Sequence, residues 1–117
     1  MLCSSIKRKE ARITKIWLDD DFDNPDTPLR RPPAGYTGVH SVNEFKKLIL
    51  DCEAKGEPIE AIDLDNDLGI YRDDGGEGHD ALWWLVETNR FYPTRPHSMN
   101  NKENEMMKLT INRFWNK

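Results

Sequence analysis

The sequence is poor in cysteine and in long hydrophobic stretches. Its two cysteines, Cys3 and Cys52, lie far apart and outside any CxxC pair, so we expect no disulfide framework and a reducing compartment. No segment approaches the ~20 apolar residues of a membrane-spanning helix, and residues 1–15 lack the apolar core of a signal peptide. We therefore expect a cytoplasmic protein that does not associate with membranes.

Positive charge is also in short supply. The 117 residues include 17 Lys and Arg against 21 Asp and Glu, which gives a formal net charge of −4 at pH 7. Because nucleic-acid backbones are bound mainly through clustered lysines and arginines, this balance argues against an extended nucleic-acid-binding surface. A local basic pocket for a single phosphate remains compatible with it. The composition predicts no particular oligomeric state.

The hydrophobic pattern predicts strands that alternate with helices. A flexible, polar and basic arm over residues 1–12 is expected to precede a single domain over residues 13–117. The expected strands are 13–18, 36–39, 59–64 and 92–98, and the expected helices are about 41–55, 80–90 and 100–115. This order predicts an α/β fold with a small doubly wound, mainly parallel sheet of about four strands.

Acidic residues follow two of the expected strands. Asp19 and Asp20 come directly after the first strand, and Asp65 and Asp67 follow the strand 59–64. The carboxyl ends of parallel strands meet at one edge of a sheet, where ligands usually bind. Carboxylates brought together there repel one another, and a hard divalent cation such as Mg²⁺ or Mn²⁺ is the simplest compensation. The alternative is that these aspartates cap turns and face solvent.

The last expected strand ends in a further polar group, His97-Ser98-Met99-Asn100. A histidine at this edge can act as a general acid or base, and the Ser98 hydroxyl or the helix N-terminus can hold a phosphate oxygen. The alternative for His97 is an ordinary hydrogen-bonded residue of an edge strand.

Further candidates are a pair of arginines in a loop and a histidine at an expected helix start. Arg30 and Arg31, the only adjacent arginines, follow the first acidic cluster within the long loop 19–35. An arginine there can bind a phosphate in a bidentate manner, but two solvated loop arginines are an equally good interpretation. His79 lies where the second helix is expected to begin, and helix entry alone is enough to explain it.

Four motifs in this order resemble the cyclic-phosphate processing receiver-like domain family, and the resemblance covers residues 13–113. They are Leu18-Asp19-Asp20, Leu64-Asp65-Asn66-Asp67-Leu68-Gly69, Gly78-His79-Asp80 and His97-Ser98-Met99-Asn100. The resemblance implies a receiver-like α/β fold that processes cyclic phosphates. It also implies that Asp19 and Asp20 form the acidic pair and that Asp65 lies at the usual phosphoacceptor position.

The sequence departs from the family pattern at three points. The family usually has Arg-Pro soon after the first acidic motif, whereas here Arg-Arg-Pro-Pro comes about ten residues later. His79 stands where an aromatic residue is usual, and the usual Pro and Gly after the last motif are missing. An ordinary signalling receiver is the natural rival, but it carries a fifth strand that ends in lysine. No fifth strand is expected here, so the rival is disfavoured.

These observations predict a metal-dependent phosphoesterase that acts on a cyclic phosphate, either a 2′,3′-cyclic nucleotide or RNA end, or a small cyclic nucleotide. The residues assigned to this reaction are the metal ligands Asp19, Asp20 and Asp65, the catalytic residues His97, Asp67 and Ser98, and the substrate-binding residues Arg31, His79 and Asn100. Asp67 would complete the metal shell or orient the water, His97 would protonate the leaving oxygen, and Ser98 would bind a non-bridging oxygen. The alternative is a catalytically inactive receiver-like module that binds a partner protein or sequesters a nucleotide.

Overall fold

The computed structural model describes residues 13–98 and 101–115. A four-stranded parallel sheet in the order β2-β1-β3-β4 forms its centre. The strands are β1 (Thr14–Leu18), β2 (Tyr36–Val39), β3 (Ile59–Leu64) and β4 (Thr94–Pro96), and the helices are α1 (Val42–Lys55), α2 (Gly78–Glu87) and α3 (Asn101–Trp115). The predicted receiver-like α/β fold is confirmed. The predicted arm over residues 1–12 lies outside the described residues.

The hydrophobic core lies between the sheet and the helices. Alternate residues of the two central strands, such as Leu18 and Leu64, point into it and are fully buried. Helix α1 contributes Phe45 and Ile49 one turn apart, and α3 contributes Met107. Burying a side chain of this size stabilises the fold by about 1.5–3 kcal/mol each. The core therefore holds the strand ends at fixed positions.

Local signals explain where the first helix begins and ends. The Ser41 hydroxyl accepts a hydrogen bond from the backbone N–H of Glu44 at 3.1 Å, as the capping pattern predicts. Gly56 ends the helix with φ of 73°, a left-handed conformation that suits glycine. Within this helix Cys52 is a buried free thiol, and its sulfur lies 3.4 Å from Oγ1 of Thr14.

Two elements differ from their predicted bounds. Helix α2 begins at Gly78, because the side chains of Glu77 and Asp80 form a capping box that starts the helix earlier than the hydrophobic stripe indicates. Strand β4 covers three residues, since Pro93 and Pro96 have no N–H to donate to a neighbouring strand. A search of the described residues finds no helix that combines the length and the apolar character needed to cross a membrane.

Candidate functional site at the carboxyl ends of the strands

Backbone hydrogen bonds align three of the predicted site residues. Just past the strand ends, the N–H of Asp19 donates to Val39 at 3.0 Å and the N–H of Asp65 donates to Leu18 at 2.9 Å. The N–H of His97 donates to Leu64 at 2.8 Å. Each bond continues the pairing of parallel strands by one residue. Asp19, Asp65 and His97 are thereby brought side by side, although they come from three different strands.

The arginine that enters this cluster is Arg30. One of its terminal nitrogens lies 2.6 Å from Asp19, 3.0 Å from Asp20 and 2.6 Å from Asp65, and its Nε donates to Asp19 at 3.2 Å. A short 3-10 helix, Pro28–Arg30, carries it, and Nε1 of Trp17 donates to the Arg30 carbonyl at 3.2 Å. The guanidinium is therefore the positive charge that the three carboxylates share.

Burial, charge repulsion and hydrogen bonds give the three carboxyl groups different pKa values. Burial raises the pKa of Asp65 to about 7, and the nearby carboxylate of Asp19 adds to that effect, although Arg30 opposes it. Burial alone would also raise the pKa of Asp19, but hydrogen bonds from His97 and Arg30 outweigh it and hold that pKa below its ordinary value. Burial, opposed by Arg30, raises the pKa of Asp20. The cluster thus carries negative charge that one guanidinium does not fully balance.

His97 is fixed between an aromatic ring and two carboxylates. Its ring stacks on Trp17, with centroids 4.0 Å apart and planes 11° from parallel. Its Nε2 lies 3.2 Å from Oδ2 of Asp19, and its Nδ1 lies 4.0 Å from Oδ1 of Asp63. The imidazole can exchange a proton with the cluster or ligate a cation beside it.

Three residues present atoms suited to a cation. Asp19, Asp65 and His97 each offer one ligand atom, and these atoms all lie within 4.8 Å of one another. A polar cavity of about 240 Å³ adjoins the acidic cluster. Its lining residues are Asp20, Arg30, Asp65, Asp67, Gly69, Ser98 and Glu103. A small anion such as a phosphate would meet the Arg30 guanidinium at this cavity.

Two of the other predicted residues also line this cavity. Asp67 is exposed at its edge, where Oδ1 accepts a hydrogen bond from the N–H of Gly69 at 3.0 Å. Ser98 is buried, and its hydroxyl donates to Glu103 at 3.3 Å. The catalytic roles assigned to Asp67 and Ser98 stay predictions.

The structure describes two of the three predicted substrate-binding residues. His79 lies at the start of α2, where its Nδ1 is 3.1 Å from Oδ1 of Asn66. Arg31 is exposed, and Arg30 is the arginine that contacts the carboxylates. Asn100 lies outside the described residues. Substrate binding by these residues stays a prediction.

Residues that sequence reasoning did not assign to the site are Arg30, Asp63, Asn66 and Glu103. Asp63 is buried on β3, and its Oδ1 accepts from Nε of Arg95 at 2.7 Å. An aspartate between the apolar residues Ile62 and Leu64 was the available signal for Asp63. No local signal distinguishes Arg30 from its neighbour, because the choice depends on how the loop folds back over the sheet.

The family model for the cyclic-phosphate processing receiver domain matches residues 14–113. No curated protein and no solved structure matches the chain. The match includes all four strands, helices α1 and α2, most of α3 and every described residue of the acidic cluster.

Proposed function

Because the chain belongs to the cyclic-phosphate processing receiver domain family, we propose that it is a metal-dependent phosphoesterase that opens a cyclic phosphate. The observation that carries this proposal is the convergence of Asp19, Asp65 and His97 ligand atoms within 4.8 Å, beside a polar cavity. Phosphoryl groups and hard cations are commonly bound together in this way, since the cation offsets the charge of both carboxylates and phosphate.

The donor set fits a divalent cation. Carboxylate oxygens of Asp19, Asp20 and Asp65 suit Mg²⁺ or Mn²⁺, and His97 beside them is left as the proton donor. A cation bound beside Asp65 would favour its ionised form, against the burial that raises its pKa. When bound, such a cation would acidify a water molecule and polarise the phosphoryl group.

The side chains of the chain would handle the protons and the substrate. A water oxygen forms a bond to phosphorus, and one of the two ester P–O bonds of the ring breaks, so the product is a phosphate monoester. His97 gives its proton to the departing oxygen, and Asp67, which reaches solvent, orients the water and carries away its proton. Arg30 and Ser98 bind the non-bridging phosphate oxygens from the cavity wall.

A second candidate function follows from the position of Arg30. Its guanidinium already contacts all three carboxylates, so the cluster has an internal counterion that a cation would have to displace or share. A receiver-like module that binds a nucleotide or a partner protein without catalysis needs no cation there.

A measurement of turnover distinguishes the phosphoesterase from the inactive module. The protein is incubated with 2′,3′-cyclic AMP or 3′,5′-cyclic AMP in Mg²⁺, in Mn²⁺ or in EDTA, and the phosphate monoester is quantified. We expect many product molecules per protein with one of the metals and none in EDTA. Asp65→Asn should abolish turnover, whereas Asp51→Asn on the exposed face of α1 should not. Binding of one nucleotide per chain with no product in either metal would favour the inactive module.

A further inference from the structure

A second, mostly apolar cavity lies between helices α2 and α3. Its volume is about 490 Å³, within the usual range for small-molecule sites. Leu82 and Met107 form its buried floor, and Trp83 and Met106 form its walls. Both wall residues are exposed although they are large and apolar: the exposed fraction is 43% for Trp83 and 65% for Met106. Apolar side chains exposed around a cavity offer a ligand surface that can be removed from water.

The apolar cavity adjoins the polar one at Glu103. Glu103 lines both cavities, and Asn66, at the edge of the apolar cavity, directly follows Asp65 of the acidic cluster. The Asn66 carboxamide oxygen accepts a hydrogen bond from the N–H of His79 at 3.0 Å, which holds this polar edge in place. A ligand with its phosphate at Arg30 could therefore extend into the apolar cavity without leaving the protein surface.

The walls are suited to a flat aromatic ring. The Trp83 ring is held edge-on by Phe114, with centroids 5.6 Å apart, so its orientation is set before a ligand binds. Methionine sulfur and methyl groups adapt to aromatic faces and make favourable contacts with them. Asn66 and His79 add hydrogen-bonding groups at one edge. A nucleobase has the matching features, since its two faces are apolar and its polar atoms lie at its edge.

We propose that this cavity binds the base of a nucleoside cyclic phosphate while the phosphate lies at the acidic cluster. This inference rests on the proposed function and restricts its substrate to molecules that carry a base. It selects a small nucleotide over a long nucleic acid, because the net charge of −4 disfavours extended phosphate contacts. Stacking of a base on an aromatic side chain usually strengthens binding about five- to 100-fold.

The test compares two ligands that share a cyclic phosphate and differ in the base. The full chain in EDTA is titrated with 2′,3′-cyclic AMP or with glycerol 1,2-cyclic phosphate, and binding is followed by NMR. We expect the nucleotide alone to shift the Trp83 indole and Met106 methyl signals and to bind at least about fivefold more tightly. Equal dissociation constants for the two ligands would overturn the proposal.

Substitutions of the cavity walls test whether the base binds in this cavity. Trp83→Ala should weaken nucleotide binding about fivefold or more. Met106→Ala should weaken it as well, and neither change should affect the base-free ligand. Leu109→Ala is the matched control, because Leu109 is 64% exposed on α3 and does not line the cavity. Thermal melting verifies that each variant is folded. If both cavity variants bind the nucleotide as the control does, the base does not lie there.

Failure of this inference and failure of the proposed function give different results. Addition of Mn²⁺ to the same samples starts any hydrolysis. Hydrolysis of both ligands with equal kcat/KM would keep the phosphoesterase and reject the base site. Base-dependent binding with no hydrolysis would keep the base site and reject the phosphoesterase.

Discussion

Arg30 donates a hydrogen bond to Asp65 at 2.6 Å across 35 residues of the chain. The same nitrogen contacts Asp19 and Asp20, so one side chain from the long loop contacts acids that follow two different strands. The guanidinium is about a quarter exposed, so it faces solvent as well as the carboxylates. The loop that carries Arg30 and a divalent cation are therefore expected to compete for the same carboxylates.

Removing the guanidinium should make the protein less stable without metal and more responsive to metal. Each charged hydrogen bond lost costs about 1.5–3 kcal/mol, so we expect Arg30→Gln to lower Tm by several degrees in EDTA. Millimolar Mg²⁺ should then raise Tm more in the variant than in the wild type, because a ligand of the native state stabilises it by mass action. Arg31→Gln is the control and should match the wild type. An identical metal response in both variants would show that the guanidinium and the cation do not compete.

The stability of the metal-free protein should depend on the ionisation of Asp65. Its pKa is about 7 in the folded protein against 3.8 in its ordinary state. Between these values the unfolded chain releases the proton while the folded protein keeps it, so this group makes the protein less stable as pH rises from about 4 to 7. The whole shift corresponds to at most about 4 kcal/mol.

Denaturant unfolding in EDTA from pH 4.5 to 8 measures this effect. The difference in unfolding free energy between Asp65→Asn and the wild type should grow in favour of the variant up to about pH 7 and then level off. Asp67→Asn, at an exposed position, is the comparison. A difference that stays constant across the range would mean that Asp65 ionises normally.

Substitution of His97 should show whether this residue serves in proton transfer or in metal binding. If it is the general acid, His97→Ala lowers turnover about 10²- to 10⁴-fold, the usual size of such a contribution. The rise in Tm with Mg²⁺ should persist, since this cation prefers carboxylate oxygens. His40→Ala serves as the control, because His40 contacts Asp23 and lies between Phe22 and Tyr71. A loss of the metal-induced rise in His97→Ala would identify the histidine as a ligand.

A close backbone approach at Gly78 should couple helix α2 to the site. A Cβ at this position would lie 2.0 Å from the Asp65 carbonyl oxygen and 2.8 Å from Cα of Asn66. Gly78→Ala must therefore push the start of α2 away from the end of β3, which we expect to cost about 1–3 kcal/mol. Thermal melting with and without Mg²⁺ should show both lower stability and a weaker metal response. Glu87→Ala, at the exposed end of the same helix, should show neither effect, and a wild-type melting curve for Gly78→Ala would refute the coupling.

Several features of the protein could be predicted from short stretches of sequence. Short apolar runs in β1 and β3, together with the Ser41 cap and Gly56 at the end of α1, predict these elements correctly. Each of these signals depends on neighbours within a few residues. The position of Asp19 and Asp65 at one sheet edge follows as well, because strands that alternate with helices pair in parallel and their carboxyl ends meet there.

Contacts between distant residues required the folded structure. Arg30 and Arg31 are equivalent in sequence, and the turn at Pro28 directs the first of them toward the carboxylates. Trp83 and Trp84 are likewise adjacent, yet Trp84 packs against the core while Trp83 lines the cavity, since consecutive helical residues point in different directions. Local patterns depend on residues close in the chain, whereas the charge balance of the cluster and the shape of the cavity depend on how the loop and α3 pack against the sheet.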